Sequence, residues 1–155
     1  MLVRRSLPGY KAPFNLDDFW VVLRRNGETP AAADAPSKEM QAEAMVKVRV
    51  YRQPPADDTI IQTAADGNGP VNALDAAVRK ALAEHYPAVQ DIRLVDYKVR
   101  VIDTAGGTGA NVRVLIDCAH DEYSWQTVGA STDIIEASWL ALADAYQWWL
   151  LRHPE

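Results

Sequence analysis

Cysteine is nearly missing from this chain: Cys118 is the only one in 155 residues. A lone thiol excludes an intramolecular disulfide framework and fits a reducing compartment, with the cytoplasm as the expectation. Histidine is almost as scarce, and His85, His120 and His153 are scattered without the paired spacing of a metal site. Basic residues are outnumbered by acidic ones, 16 against 21, leaving a formal net charge of −5. With no basic cluster interleaved with aromatics, nucleic acid is not an expected partner. Long apolar runs are lacking too. The most apolar segment, WLALADAYQWWLL, is cut by Asp144 and Gln147 and is too short to span a bilayer, so no membrane partner is expected. Arg4 and Arg5 are followed by Pro8, Gly9 and Lys11 instead of the apolar core of a signal peptide.

What remains is the balance of a soluble globular domain, 48% apolar and 24% charged. Periodicity gives six strands and two long helices. NLDDFWVVLRR, EAMVKVRVY and TIIQTAA are the first three strands, followed by a helix over about Pro70–Glu84 that ends at Tyr86-Pro87. The order then recurs as IRLVDYKVRVI, ANVRVLIDCA and EYSWQTVGA, with a second helix over about Asp133–Leu151.

The recurrence is numerical as well. At a spacing of 64, Val48–Val50 falls on Val112–Val114, Gln62-Thr63 on Gln126-Thr127, Ala73 on Ala137, and Ala77 on Ala141. The first strands match at 78, with Leu16 on Leu94, Asp18 on Asp96, Phe19 on Tyr97 and Val21 on Val99. The difference implies 14 extra residues between strands one and two of the first half, in the Gly27–Ser37 region. The fold class expected is α+β: two duplicated βββα units, about 16–86 and 92–152, related by pseudo-twofold symmetry, with helices packed on antiparallel sheets. Residues 1–15 read as the tail of a linker. The first helix carries Val71, Leu74, Val78 and Leu82 on one stripe. The second carries Ile135, Ser138, Leu142, Tyr146 and Trp149, with Trp139, Leu140, Trp148 and Leu150 off that face. That surplus points either to burial on several sides or to a subunit interface, with the interface preferred.

Candidate chemistry is sparse. GNGPVNAL lacks the Lys and Ser/Thr of a phosphate loop, but Gly67 and Gly69 precede Pro70 at a helix start, where N–H groups point outward. GASTDII supplies a second, related helix start with the capping types Ser131, Thr132 and Asp133. Bare N–H groups at one start and a carboxylate at the other would together suit an amino acid. Cys118 lies in a strand two residues from His120; a nucleophilic role would need something to orient that base, and a small buried hydrophobe is the simpler reading. No active site is expected in this chain alone.

Together, GNGPVNAL, LVDYKVRV and TVGASTDIIEASWLAL resemble the C-terminal regulatory domain of the 2-isopropylmalate synthase and citramalate synthase family. LVRRSLPGYKAPFNLDDFWVVL and ASWLALADAYQWWLLR resemble the citramalate synthase branch. The resemblance implies paired βββα units, a homodimer, and a covalently linked catalytic TIM barrel that condenses acetyl-CoA with a 2-oxo acid. It implies no cofactor in this chain, since the divalent metal belongs to that barrel. It also implies feedback inhibition by an end-product amino acid, isoleucine first and leucine next. Carried over by position, the effector pocket would draw on Gly67, Gly69, Val71, Asn72, Leu94, Tyr97, Val101, Ala110, Val112, Asp133 and Ile134. A structural dimerisation domain without a ligand is the alternative, with Leu94, Val101 and Val112 as ordinary core and Asn72 and Asp133 as caps.

Overall fold

The computed structural model describes residues 9–25, 40–51, 57–102 and 110–153. Strands β1 (Phe14–Arg25), β2 (Met40–Val50) and β3 (Thr59–Gly67) form one antiparallel sheet in that order, followed by helix α1 (Pro70–Leu82). A short 3-10 turn (Pro87–Asp91) leads to β4 (Arg93–Val101), β5 (Val112–His120) and β6 (Tyr123–Ser131), a second antiparallel sheet, and then helix α2 (Ile134–Arg152). The duplicated βββα architecture is therefore present. β1 begins at Phe14, one residue before the strand NLDDFWVVLRR read from the sequence. The Gly27–Ser37 region and residues 103–109 lie outside the described residues.

Strand pairing shows how faithful the duplication is, and corrects one part of it. β1 carries a bulge between Leu16 and Asp18, and β4 carries one between Leu94 and Asp96, again 78 residues apart. The Thr63 hydroxyl donates to the Ala77 carbonyl at 2.8 Å, and the Thr127 hydroxyl donates to the Ala141 carbonyl at 2.7 Å, so β3, β6 and the helices keep the spacing of 64. The middle strands do not. Val46 pairs with Phe19 and Thr63, whereas Ile116 pairs with Tyr97 and Thr127, so β2 and β5 are related by 70. The match of Val48–Val50 to Val112–Val114 is a coincidence of composition. The 14 extra residues are accordingly split, 8 between β1 and β2 and 6 between β2 and β3. The physical reason is the hairpin: β5 and β6 are joined by the two-residue Asp121-Glu122 turn, with Asp121 at φ 50°, while β2 and β3 are joined by a longer connection.

Each helix buries an alanine-rich stripe against its own sheet. Ala73, Ala77 and Ala81 of α1 and Ala137, Ala141 and Ala145 of α2 are almost fully buried, and these small side chains let helix and strand approach closely. Gly129 carries this furthest, because a Cβ there would collide with the Ala137 carbonyl oxygen and come 2.8 Å from the Ala141 nitrogen. The two units share one core. Phe14 is edge-on to Trp139 of α2, and Gln147 donates to the Phe14 carbonyl at 3.2 Å. Between the helices, Arg79 donates to Asp75 at 2.9 Å and to the carbonyls of Val89 and Ile92, and lies over the Tyr146 ring. The Tyr146 hydroxyl donates to Asp75. One guanidinium thus ties α1, α2 and the connecting turn together.

The expectation of an interface along α2 is corrected by this packing. Trp139 and Leu150 are buried within the single chain, and Trp148 stacks on Trp125 at 4.7 Å. Trp149 is sandwiched between His120 and His153, with ring centroids at 4.0 and 3.8 Å. The off-face aromatics anchor the end of α2 to the β5–β6 hairpin. No helix among the described residues is long and apolar enough to cross a membrane.

Candidate functional site

The two helix starts occupy equivalent places in the duplicated units but are chemically opposite. α2 begins with a side-chain cap: the Asp133 carboxylate accepts from the Glu136 N–H at 2.8 Å, and the Ser131 hydroxyl donates to the Glu136 carboxylate at 2.6 Å. Its first turn is therefore filled with the chain's own negative charge. α1 begins at Gly69, which is extended (φ −159°), offers no side-chain cap, and is followed by Pro70 with no acidic residue in the first turn. The early N–H groups of a helix have no acceptor within it, and together with the helix dipole they favour an anion. Nothing lies within 4 Å of a Cβ built on Gly69. The approach to this start is open.

Gly67 plays a different part. A Cβ there would meet the Ala73 backbone nitrogen and sit 2.5 Å from the Asn72 Oδ1, so its smallness serves the packing of the helix start on the end of β3. Asn72 is exposed, and its Oδ1 accepts from the Asn68 N–H at 3.3 Å, holding the turn. Val71 packs partly against the core.

The remaining residues suggested by the sequence belong to the second unit. Val101 and Val112 are register partners, Val112 is also paired with Ser131, and Asp133 and Ile134 follow directly, so these four share one end of the sheet. Val101 and Ile134 are well exposed there, at 57% and 43%, while Ala110 is buried. Leu94 lies at the opposite end of β4, paired with Cys118 and packed against the core. The Tyr97 hydroxyl hydrogen-bonds the Ser138 hydroxyl at 2.8 Å, and Ser138 donates onward to the Ile134 carbonyl.

A cleft of about 380 Å³ between the units is lined by Phe19 and Val21 of β1 and by Asp133, Ile135 and Glu136 at the start of α2. The spacings of 78 and 64 carry this set onto Tyr97, Val99, Gly69, Val71 and Asn72. Four of those five are residues that the resemblance named. The fifth, Val99, is one that the sequence reading did not name for the site; it is the repeat partner of Val21, on the helix-facing side of β4 opposite the buried Val114.

Cys118 is buried, and that burial pushes its thiol pKa up to about 12, which removes it as a nucleophile near neutral pH. His120 Nδ1 lies 3.3 Å from the Asp121 carboxylate, and the ring is occupied by stacking on Trp149. Among the described residues no group of three His, Cys, Asp or Glu side chains is placed to hold a metal ion.

Comparison with known proteins agrees with this architecture. The family described as the LeuA allosteric (dimerisation) domain matches residues 2–150. The (R)-citramalate synthase of Aquifex aeolicus is 38% identical over 157 residues, covering 100% of this chain and 27% of the relative. That of Geobacter sulfurreducens is 37% identical over 155 residues, with the same coverages. That of Streptomyces coelicolor reaches 49% over 92 residues, covering 59% of this chain and 17% of the relative. The chain thus spans about a quarter of the length of the first two relatives. With almost its whole length matched, the chain belongs to the LeuA allosteric (dimerisation) domain family.

Proposed function

We propose that this domain binds a branched-chain amino acid, isoleucine before leucine, and as a homodimer passes that binding on as feedback inhibition. Its target is a linked catalytic region that condenses acetyl-CoA with a 2-oxo acid to form citramalate, in the cytoplasm. The catalytic barrel and its divalent metal belong to that region, so this domain is regulatory and not itself an enzyme. The observation that carries the reading is the uncapped α1 start at Gly69, set against the self-capped start of α2. The N–H groups of Gly69 and Val71, on either side of Pro70, would receive the effector carboxylate. Val71, Val99, Val101 and Val112 would take its aliphatic side chain, at about 0.8 kcal/mol per buried methylene. Asp133, although it caps α2, is exposed and would meet the ammonium group. Gly67, Asn72, Tyr97, Ala110 and Ile134 would stand around this core, while Leu94, at the other end of β4, would lie apart from it.

A second reading, a structural domain without a ligand, is favoured by three details. Tyr97 is satisfied by Ser138, Asp133 is spent on its cap, and Gly67 is required by packing. Calorimetric titration with isoleucine, leucine and valine separates the two. Saturable heat is expected, strongest for isoleucine, with one methyl position deciding about 1–3 kcal/mol. No heat from a folded dimer leaves the structural reading standing. Gly69→Val should fold normally and lose binding; if it binds as the wild type does, the pocket is misplaced.

A further inference from the structure

The two helices meet through polar groups that the repeat does not require. Arg79 and Asp75 of α1 keep only 14% and 15% of their side-chain surface exposed, and Tyr146 of α2 is fully buried. At a spacing of 64 their counterparts are Ala143, Trp139 and Leu82, all buried and hydrophobic. A hydrophobic set therefore packs at the equivalent place, and a buried ion pair adds little stability over such a set. What the polar set adds is direction. Asp75 accepts from two donors on different helices, the Arg79 guanidinium and the Tyr146 hydroxyl. Arg79 also donates to the Val89 and Ile92 carbonyls, which fixes the turn that joins the units. A small displacement of α1 along its axis alters such directional bonds at once, where apolar contacts would slide.

The cluster also lies between the bare helix start and the second sheet. Asp75 is five residues beyond Pro70, a rise of about 7.5 Å along α1. On the other side, Trp149 follows Tyr146 within one turn of α2 and stacks on His120 of β5. We propose that Asp75, Arg79 and Tyr146 relay occupancy of the α1 start to α2 and the second sheet. The relay rests on the reading of that start as a carboxylate site, and it names the residues that carry the signal. A carboxylate drawn onto the Gly69 and Val71 N–H groups pulls α1 along its axis. Asp75 moves with the helix, and Tyr146 and the 87–91 turn follow it. All three are positioning residues, acting on α2 without touching the ligand. Part of the binding free energy goes into moving α2, so a chain without the relay binds as tightly or more tightly. Loss of a merely structural support would weaken binding instead.

Indole N–H signals in heteronuclear NMR, followed during titration with isoleucine, leucine and valine alongside calorimetry, test this. In the wild type the Trp148 and Trp149 signals should move as the site saturates. Trp149 lies 16 residues beyond Asp133, about 24 Å along α2, so a ligand touching the α2 start does not reach it. Tyr146→Phe removes only the hydroxyl, and Arg79→Met keeps the stem without the donors. Both variants should bind no more weakly than the wild type and lose more than about half of the movement of those two signals. Far-ultraviolet circular dichroism checks that they fold. A wild type that binds while Trp148 and Trp149 stay still overturns the relay and leaves the site, as do variants whose signals move like those of the wild type. Folded variants that bind more weakly show a structural support and overturn the relay too. A wild type that gives no heat with any of the three amino acids removes the carboxylate site, and the relay with it.

Discussion

The first unit and the second are built on one plan, and the differences between them are informative because the plan is shared. Both carry the bulge in the first strand and the threonine that reaches a helix carbonyl. They part where a helix meets something else. The second unit seats its helix more tightly, with Gly129 where the first has Ala65, and caps it with its own carboxylates. The first unit leaves its helix start bare and spends its buried charge, Asp75 and Arg79, on joining the two units. The counterparts of Asp75 and Arg79 are Trp139 and Ala143, so the clamp exists on one side only. After duplication, one half is specialised for seating α2 and the other for an open end and a junction.

The largest test of that contrast is Gly129. Substituting Gly129→Ala should destabilise by about 2–4 kcal/mol in urea denaturation, since the new Cβ meets backbone that cannot move without shifting α2. Ala65→Gly, which gives the first unit the residue of the second, should cost no more than about 1 kcal/mol. Equal costs would mean that the tighter seating of α2 has no energetic content.

A smaller effect probes the one-sided clamp. Burial holds the Asp75 carboxyl above its ordinary range, against the opposing pull of Arg79. The folded chain therefore keeps this proton at a pH where the unfolded chain has released it. Stability from this group is full below the ordinary carboxylate pKa and is lost as pH rises through the folded value. Asp75→Asn removes this dependence by keeping a neutral hydrogen-bonding group there at every pH. Its urea midpoint, compared with wild type, should improve on going from about pH 4 to pH 7. A difference that stays constant over that range would show that Asp75 does not titrate there.

The finest comparison is between the two threonines. Thr127 is buried and Thr63 only partly so, although their hydrogen bonds are alike. Thr127→Val should cost about 1 kcal/mol and Thr63→Val a few tenths, because water can replace the lost donor only at the more open site.

Much of this architecture was legible in advance. Strand alternation and the alanine stripes gave the order of elements, and the helix ends were placed within two residues because Pro70, Tyr86-Pro87 and Asp133 punctuate the chain. Of the site, the two helix starts could be read as a related pair. Val99 could be reached only through the repeat, as the counterpart of Val21, and that counterpart gains meaning only once α2 is seen beside β1. The surplus apolar surface of α2 was misread for a similar reason: composition records how much surface must be covered and not what covers it. His120, Tyr123 and His153, which close over Trp149, are distant from one another or unremarkable in sequence.

By itself the sequence determined that there are two βββα units, where each helix begins, and that one beginning is bare and the other capped. These are local matters of periodicity, proline and side-chain oxygen. Only the tertiary structure decided the register of the middle strands. A slip of six residues preserves the alternation of a strand, so VRV matched VRV on paper while hydrogen bonding joined Val46 and Ile116 to equivalent neighbours. Turn length settles which of several even-numbered registers is paired, and it acts only once the strands have been brought together.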